Sequence, residues 1–421
     1  MELVVIADDF TGATDIASFL VEAGLDTIQI NKIPSQNTII DAKAVVISLK
    51  SRSCPKNQAI TESLEALEWA KAQNCKRIFF KYCSTFDSTT EGNIGPVTDA
   101  LMMAMGESTT VICPALPVNG RSVYKGYLFV NDQLLNESPM KNHPITPMAD
   151  ASLLRLMAQQ SVGKVGLIDM NIIAQGAMAV KKEIQNLKSQ NINYIVFDAI
   201  AMADLDIIAQ ASLDEFNLLT GASGLGGALA KYLVSPAHTA EDANLSGQPQ
   251  NAPTIILAGS CSAMTQKQVQ AYQNLAPSYQ IDIEKCLFDD EYVQKLANWY
   301  NNHNMGNFAP MIYATTNVVH LKQIQQKYGA KRASDAVEQL FYNLAIRLKD
   351  MGVKNFIVAG GETSGSVTQA LNINAFYIGP QIAPGVPWVR GLDNPLSLAL
   401  KSGNFGDENF FEHAQIFINK K

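Results

Sequence analysis

Short apolar runs recur along the first half of the chain, separated by longer amphipathic stretches: LVVIA at 3–7, AVVIS at 44–48, RIFFKY at 77–82, TVICP at 110–114, VGLID at 165–169 and YIVFD at 194–198. The runs are continuous instead of alternating, which is the pattern of strands covered by helices on both faces. After the first run, Ile16, Phe19, Leu20 and Ala23 fall at helical spacing, and Gly24 supplies a stop. Strands alternating with helices in this way predict a mainly parallel sheet.

Residues 235–253, SPAHTAEDANLSGQPQNAP, interrupt this rhythm with small, polar and proline residues. They read as a linker between domains and as the hinge candidate. Strand-like runs resume with TIILAG at 254–259, PMIYAT at 310–315, NFIVAG at 355–360 and AFYIG at 375–379. The expected architecture is therefore α/β with two domains, 1–234 and 254–421, each a mainly parallel, Rossmann-like sheet flanked by helices. A length of 421 residues agrees, being too long for one ordinary core.

Charge and cysteine usage narrow the partners. The formal net charge is -7 with a sequence pI near 5.3, and no basic stripe or tail is visible. This argues against nucleic acid or an anionic membrane as partner. The opening MELVVIADD reads as neither signal peptide nor anchor, and no later apolar run reaches spanning length. Six cysteines are scattered without a CxxC pair, the usage of a reducing cytoplasm, and five histidines show no zinc-like spacing. The sequence leaves a homo-oligomer open.

In open α/β sheets ligands gather beyond the carboxyl ends of the strands, so the residues following each run are the candidates for chemistry. In the first half these are Asp8 and Asp9, Ser51 and Arg52, Lys81, Ser84 and Asp87, with Asn119 and Arg121 further on. Acids, hydroxyls and a few cations on one edge suit a small polyhydroxylated anion. Arg52 and Lys81 are the natural partners for its carboxylate, because an acidic protein must supply positive charge locally. Helix capping accounts for one of the two adjacent aspartates but hardly both.

The second half offers small residues instead: Gly259, Ser260 and Ser262 after one strand, and Gly360, Gly361, Glu362, Thr363, Ser364 and Gly365 after another. Such turns leave backbone N–H groups free to approach phosphate, with the helix dipole adding to the attraction. Tight packing is the equal alternative on glycines alone. Gly360 and Gly365 have P-loop spacing, but Ser366 and Val367 stand where Lys-Ser/Thr would be required, so this is not a Walker A motif. Lys401, Ser402 and Gly403 form a third wall. LLTGASGLGGALA at 218–230 does not read as following a strand and is taken as a helix start or packing device. Cys261 lacks the GxSxG elbow and a histidine near in sequence, so a nucleophile reading carries little weight.

With these segments assembled, the chain resembles the four-carbon acid sugar kinase family almost end to end. ADDFTGATD, KYCSTFDST, CPALPVNGR and HPITPM carry the likeness in the first half, and AGSCS, GGETSG and KSGNFG in the second. The resemblance implies an N-terminal domain that binds a sugar acid and a C-terminal domain that binds ATP. It further implies transfer of the γ-phosphoryl group to the terminal 4-hydroxyl. Ser260, the turn Gly360, Gly361, Glu362, Thr363, and Gly403 match its nucleotide-site motifs. Asp8, Asp9, Arg52, Lys81, Ser84 and Asp87 fall in its acid-binding segments. Within the family, length and NHPITPM most resemble the members that act on 3-oxo-tetronate, as against those for D-threonate or D-erythronate, so the resemblance implies the 3-oxo acid.

Phosphoryl transfer needs in-line positioning and charge neutralisation. The residues suggest Asp9 as the base that takes the hydroxyl proton, with Asp87 second, Asp8 being held by backbone donors. Mg²⁺ is expected with ATP, taking one or two carboxylates. A sugar-acid aldolase or isomerase using a Lys81 Schiff base, and a non-catalytic nucleotide sensor, are the rival classes.

Overall fold

The computed structural model describes all residues except 36, 37, 39, 143–145, 236, 237 and 419–421. The chain divides into two compact units, Met1–Ala243 and Asn244–Lys421.

In the first unit the strands are β1 Leu3–Ala7, β2 Thr27–Ile30, β3 Ala44–Ser48, β4 Ile78–Lys81, β5 Thr110–Cys113, β6 Arg121–Tyr124, β7 Tyr127–Val130, β8 Gln133–Leu134, β9 Val165–Ile168, β10 Tyr194–Phe197 and β11 Leu218–Gly221. The main sheet runs β2-β3-β1-β4-β11-β5-β10-β9 and is parallel throughout. Strands β6, β7 and β8 form a separate antiparallel sheet. The central strands are buried along their whole length, as continuous apolar runs require. Val5, Ile6, Val46 and Phe79 are all at 0% exposure, and each such side chain contributes about 1.5–3 kcal/mol by leaving water.

The first helix, Phe10–Glu22, starts where Asp9 caps it, Asp9 Oδ1 accepting from Gly12 N at 2.9 Å. Its inward face presents Ile16, Ala17 and Leu20, and Gly24 turns the chain away at a φ of 89°. The glycine stretch 218–230 departs from the sequence expectation. Its first four residues are themselves strand β11, and the helix Ser223–Ala230 follows at once. The glycines in that helix are packing devices. A Cβ on Gly226 would lie 2.6 Å from Ile16 Cδ1, and one on Gly227 3.0 Å from Phe19 Cβ.

The second unit contributes β12 Thr254–Ala258, β13 Ser278–Gln280, β14 Met311–Tyr313, β15 Asn355–Ala359, β16 Ala375–Ala383, β17 Val386–Gly391 and β18 Ser397–Lys401. Its order is β13-β14-β12-β15-β18-β17-β16, parallel as far as β18 and antiparallel for the last two strands. Trp388 anchors its core at 0% exposure, and its indole N–H donates to Ala414 O at 2.9 Å. The stretch 235–253 holds a short helix, Ala240–Asn244, and a 3₁₀ turn, Leu245–Gly247, while 236 and 237 lie outside the described residues. Of the NHPITPM segment, 143–145 also lie outside them.

Gly221 ends β11 against backbone that cannot give way, since a Cβ there would stand 2.4 Å from Cys113 O. Gly221→Ala should therefore destabilise the first unit by about 1–3 kcal/mol. A lower midpoint in chemical denaturation checks this, and an unchanged midpoint would refute it.

Candidate active site

Parallel pairing sets Ala7 opposite both Ser48 and Lys81, and Gly221 opposite Lys81. The residues that follow β1, β3, β4 and β11 are thereby gathered on one edge. Asp8 N donates to Lys81 O, and the N–H groups of Ser51 and Arg52 both donate to Asp8 O. Asn93 Nδ2 pins the same loop by donating to Ser51 O at 2.8 Å and Cys54 O at 2.9 Å.

These bonds aim the Arg52 guanidinium at both adjacent aspartates. Its Nε donates to Asp8 Oδ2 at 2.9 Å, and its Nη2 donates to Asp8 Oδ1 at 2.8 Å and to Asp9 Oδ1 at 2.7 Å. Nη1 faces Asp87 Oδ2 at 3.8 Å. Burial works against the Arg52 charge, but Asp8 foremost among its neighbours overrides it and holds the group protonated well above its ordinary range. The Asp8 carboxylate is thus held by a guanidinium, not by the backbone donors the sequence suggested. Burial and then Asp8 lift the Asp9 carboxyl above its usual range, while Arg52, Lys81 and Gly12 N–H pull it back.

Lys81 is 3% exposed, and among the described residues no carboxylate oxygen comes within 4.0 Å of its ammonium. The ammonium occupies space that only a glycine leaves: a Cβ on Gly12 would lie 2.3 Å from Lys81 Nζ and 2.3 Å from Asp9 Oδ1. Asp87 follows Phe86, a buried residue held at a φ of 48°, a left-handed conformation costly for a bulky side chain. Asp87 Oδ1 accepts from Thr85 Oγ1 at 2.6 Å. Ser84 sits half-buried in the same turn, and Arg121 Nη1 donates to Asn119 O.

Sequence reasoning missed Asp15. It shares a helix face with Gly12, three residues away, and accepts from Ser223 Oγ at the start of the helix after β11. Its Oδ1 is buried without a hydrogen-bond partner. Burial lifts the Asp15 carboxyl, and Lys81, Ser223 and Arg121 pull it back. The signal was present as the last residue of ADDFTGATD, but its partner lies 208 positions away.

In the second unit Ala258 pairs with Ala359 and Ala359 with Lys401, so three turns meet beyond β12, β15 and β18. A Cβ on Gly259 would stand 2.0 Å from Thr363 Oγ1, and one on Gly403 2.6 Å from Ser260 Oγ. Gly360 takes a φ of 127°, and a Cβ there would stand 3.1 Å from Ser260 N and from Thr363 Oγ1. Ser260, Gly360, Thr363 and Gly403 are therefore together, with Gly361 and Glu362 opening the helix Gly361–Ala370, whose N-terminus no side chain caps. A cavity of about 390 Å³ adjoins these turns, with Ile283, Ile324, Ala333 and Val337 as its apolar wall. On its rim, burial and then Glu362 lift the Glu338 carboxyl. Cys261 lines the same cavity, and burial pushes its thiol up, against a thiolate nucleophile.

Two family models match in tandem: a sugar-binding N-terminal domain over residues 3–229 and a nucleotide-binding C-terminal domain over 255–411. A protein of Brucella melitensis named 3-oxo-tetronate kinase is 53% identical over 100% of this chain and 97% of its own length. One of the same name from Pectobacterium atrosepticum is 52% identical, covering 99% of each. Among solved structures, a Haemophilus influenzae protein superposes with a TM-score of 0.89 at 50% identity, over 99% of this chain and 100% of the other. A Salmonella typhimurium protein described as a putative tRNA synthase superposes with a TM-score of 0.93 at 52% identity, over 98% of each. Both domain models in the expected order, with relatives about half identical from end to end, show that this chain belongs to the four-carbon acid sugar kinase family.

Proposed function

We propose that this chain is an ATP-dependent kinase that transfers the γ-phosphoryl group to the 4-hydroxyl of 3-oxo-tetronate, giving 3-oxo-tetronate 4-phosphate and ADP. The observation that carries this reading is the end-to-end identity of about half with relatives that bear that enzyme's name. A cytoplasmic location fits six cysteines of which none is paired. No helix among the described residues is long and apolar enough to cross a membrane.

The sugar acid lies beyond β1, β3 and β4. Lys81 is the main carboxylate partner, because the Arg52 donors Nε and Nη2 are already committed to Asp8 and Asp9. Arg52 Nη1 is the donor left to assist. Asp9 is the base that accepts the 4-hydroxyl proton. Its side chain keeps 30% of its surface open to an incoming substrate, and its raised pKa brings it closer to the working range of a general base. Ser84 and Asp15 are hydroxyl partners of the acid. ATP lies in the second unit, its phosphates over Ser260, Gly360, Gly361, Glu362, Thr363 and Gly403 and its base against the apolar wall of the cavity. There the helix Gly361–Ala370 offers uncapped N–H groups to the phosphates.

Among the described residues no group of three or more His, Cys, Asp or Glu side chains forms a metal cage. Mg²⁺ would arrive on the nucleotide, held mostly by phosphate and water. Bound with the nucleotide, the ion would neutralise charge on the phosphoryl oxygens. Asp87, whose Oδ1 accepts from Thr85 Oγ1 and whose Oδ2 faces Arg52 at 3.8 Å, is the second candidate for the base.

Coupled ADP release with ATP, Mg²⁺ and, separately, 3-oxo-tetronate, D-threonate and D-erythronate tests the reading. Strong preference for the 3-oxo acid is expected; preference for another acid corrects the substrate, and silence on all three refutes the kinase. Lys81→Met should raise KM for the acid about 10–100-fold with KM for ATP little changed, the loss expected for a charged hydrogen bond. An equal rise in both constants would remove Lys81 from the carboxylate.

Asp9 must be ionised to accept a proton, so kcat/KM should fall as pH drops through its pKa. That acid limb should lie above the usual aspartate range, because the folded protein raises this group. Asp9→Asn should remove the limb and lower kcat about 10²-fold or more. An intact limb in a folded Asn variant would move the role to another group.

A further inference from the structure

Lys401 closes β18 at 1% exposure. Its Nζ reaches two neutral acceptors, Thr265 Oγ1 at 3.1 Å and Gly403 O at 2.9 Å, and lies 5.8 Å from the centre of the Phe410 ring. Among the described residues no carboxylate oxygen stands within 4.0 Å of it. The acids of the flanking loop are engaged elsewhere, Asp407 with His413 at 3.4 Å and Glu408 with Lys267 at 2.8 Å. Neither these groups, nor Glu412 on the helix Phe410–Ile416, Glu362 on Gly361–Ala370, Tyr272 on Ala263–Tyr272 or Arg390 on β17, accounts for its titration. Burial alone does so, bringing the ammonium down to about 7. A charged ammonium with only neutral partners in a dry site is costly, and loss of its proton relieves that cost.

The same side chain is built into the turns assigned to the nucleotide. Thr265 Oγ1 donates to Gly403 O at 2.8 Å, so Lys401 and Thr265 clamp one carbonyl between them. That clamp holds Gly403 against Ser260 and Ser262, whose hydroxyls would meet a Cβ there at 2.6 and 2.8 Å. The Lys401 main chain ties in the other turn, since Gly360 N donates to Lys401 O at 2.9 Å.

We propose that Lys401 is a proton-linked positioning residue of the nucleotide site: neutral while the turns are empty, it takes up a proton when nucleotide phosphates settle on them, and the ammonium then tightens the Gly403 turn. The inference rests on the reading of the second unit as the ATP site. The proton comes from solvent, and no covalent bond changes. Phosphate charge favours the ammonium, and a charged donor bonds Gly403 O more strongly than a neutral one. The sign follows directly. Above pH 7 the free protein has lost a proton that the complex holds, so affinity falls as pH rises, the slope of log K against pH approaching about -1.

Calorimetry of a non-hydrolysable ATP analogue with Mg²⁺ near pH 8, in buffers of different ionisation enthalpy, measures the proton directly, because the analogue's own phosphates are already almost fully ionised there. Wild-type protein should take up about one proton per nucleotide bound. Lys401→Met should abolish the uptake and raise KM for ATP about tenfold while leaving KM for the acid within about twofold. Tight wild-type binding without proton uptake, or uptake retained in the Met variant, overturns the role of Lys401. No wild-type binding at all overturns the ATP reading instead. If the Met variant does not fold, the wild-type uptake and its pH slope decide.

Discussion

Two adjacent carboxylates at the mouth of a buried strand repel each other, and the sugar-acid site depends on how that repulsion is met. Arg52 meets it with one guanidinium that grips Asp8 through two donors and shares the second of them with Asp9. The geometry is not left to the side chain. Asp8 O takes the N–H groups of Ser51 and Arg52, and Asn93 holds the carbonyls of Ser51 and Cys54, so strand end and loop are fixed by bonds independent of the ion pair. Because Asp8 is only 6% and Arg52 22% exposed at the side chain, water cannot substitute for the missing partner if either is removed. Lys81 and Asp15 are then arranged around this centre.

In the reading proposed above, the two units address their ligands with different parts of the chain. Beyond β1, β3 and β4 the working groups are side-chain charges, which suit a small anion that offers one carboxylate and a few hydroxyls. Beyond β12, β15 and β18 they are backbone turns with small residues, where Thr363 Oγ1 or Ser260 Oγ fills the space a Cβ would take. Polyphosphate presents many equivalent oxygens, and close approach of N–H groups matters more there than the placement of any one charge. The same parallel-sheet rule places both sets at strand carboxyl ends.

That rule is also why so much could be read without coordinates. Fully buried parallel strands announce themselves as apolar runs, and the residues after them follow by counting. What escaped was structure whose signal lies in the partner. Strand β2 carries Thr27 and Gln29, buried at 4% and 0%, so its run is broken by polar residues that only packing justifies. Strand β11 hid inside a glycine-rich stretch whose small residues serve Ile16 and Phe19 on another helix. Asp15 went unremarked because Ser223, far along the chain, gives it its role, and the hold on Asp8 was misassigned because donor geometry is not encoded in spacing.

Lys81 and Lys401 make the last point physically. Each ends a strand with a parallel neighbour, each is nearly sealed from solvent at 3% and 1%, and in sequence nothing separates them but their neighbours. Around Lys81 the fold sets acids, Asp9 beside the same Gly12 and Asp15 on the same helix face, which feel its charge through space without a close ion pair. Around Lys401 it sets a hydroxyl, a carbonyl and a ring, none of which can balance a charge. A buried lysine with only neutral partners gains by losing its proton, and a nearby anion reverses that gain. The difference between the two lysines is thus made by what the sheet brings alongside, not by the residue itself.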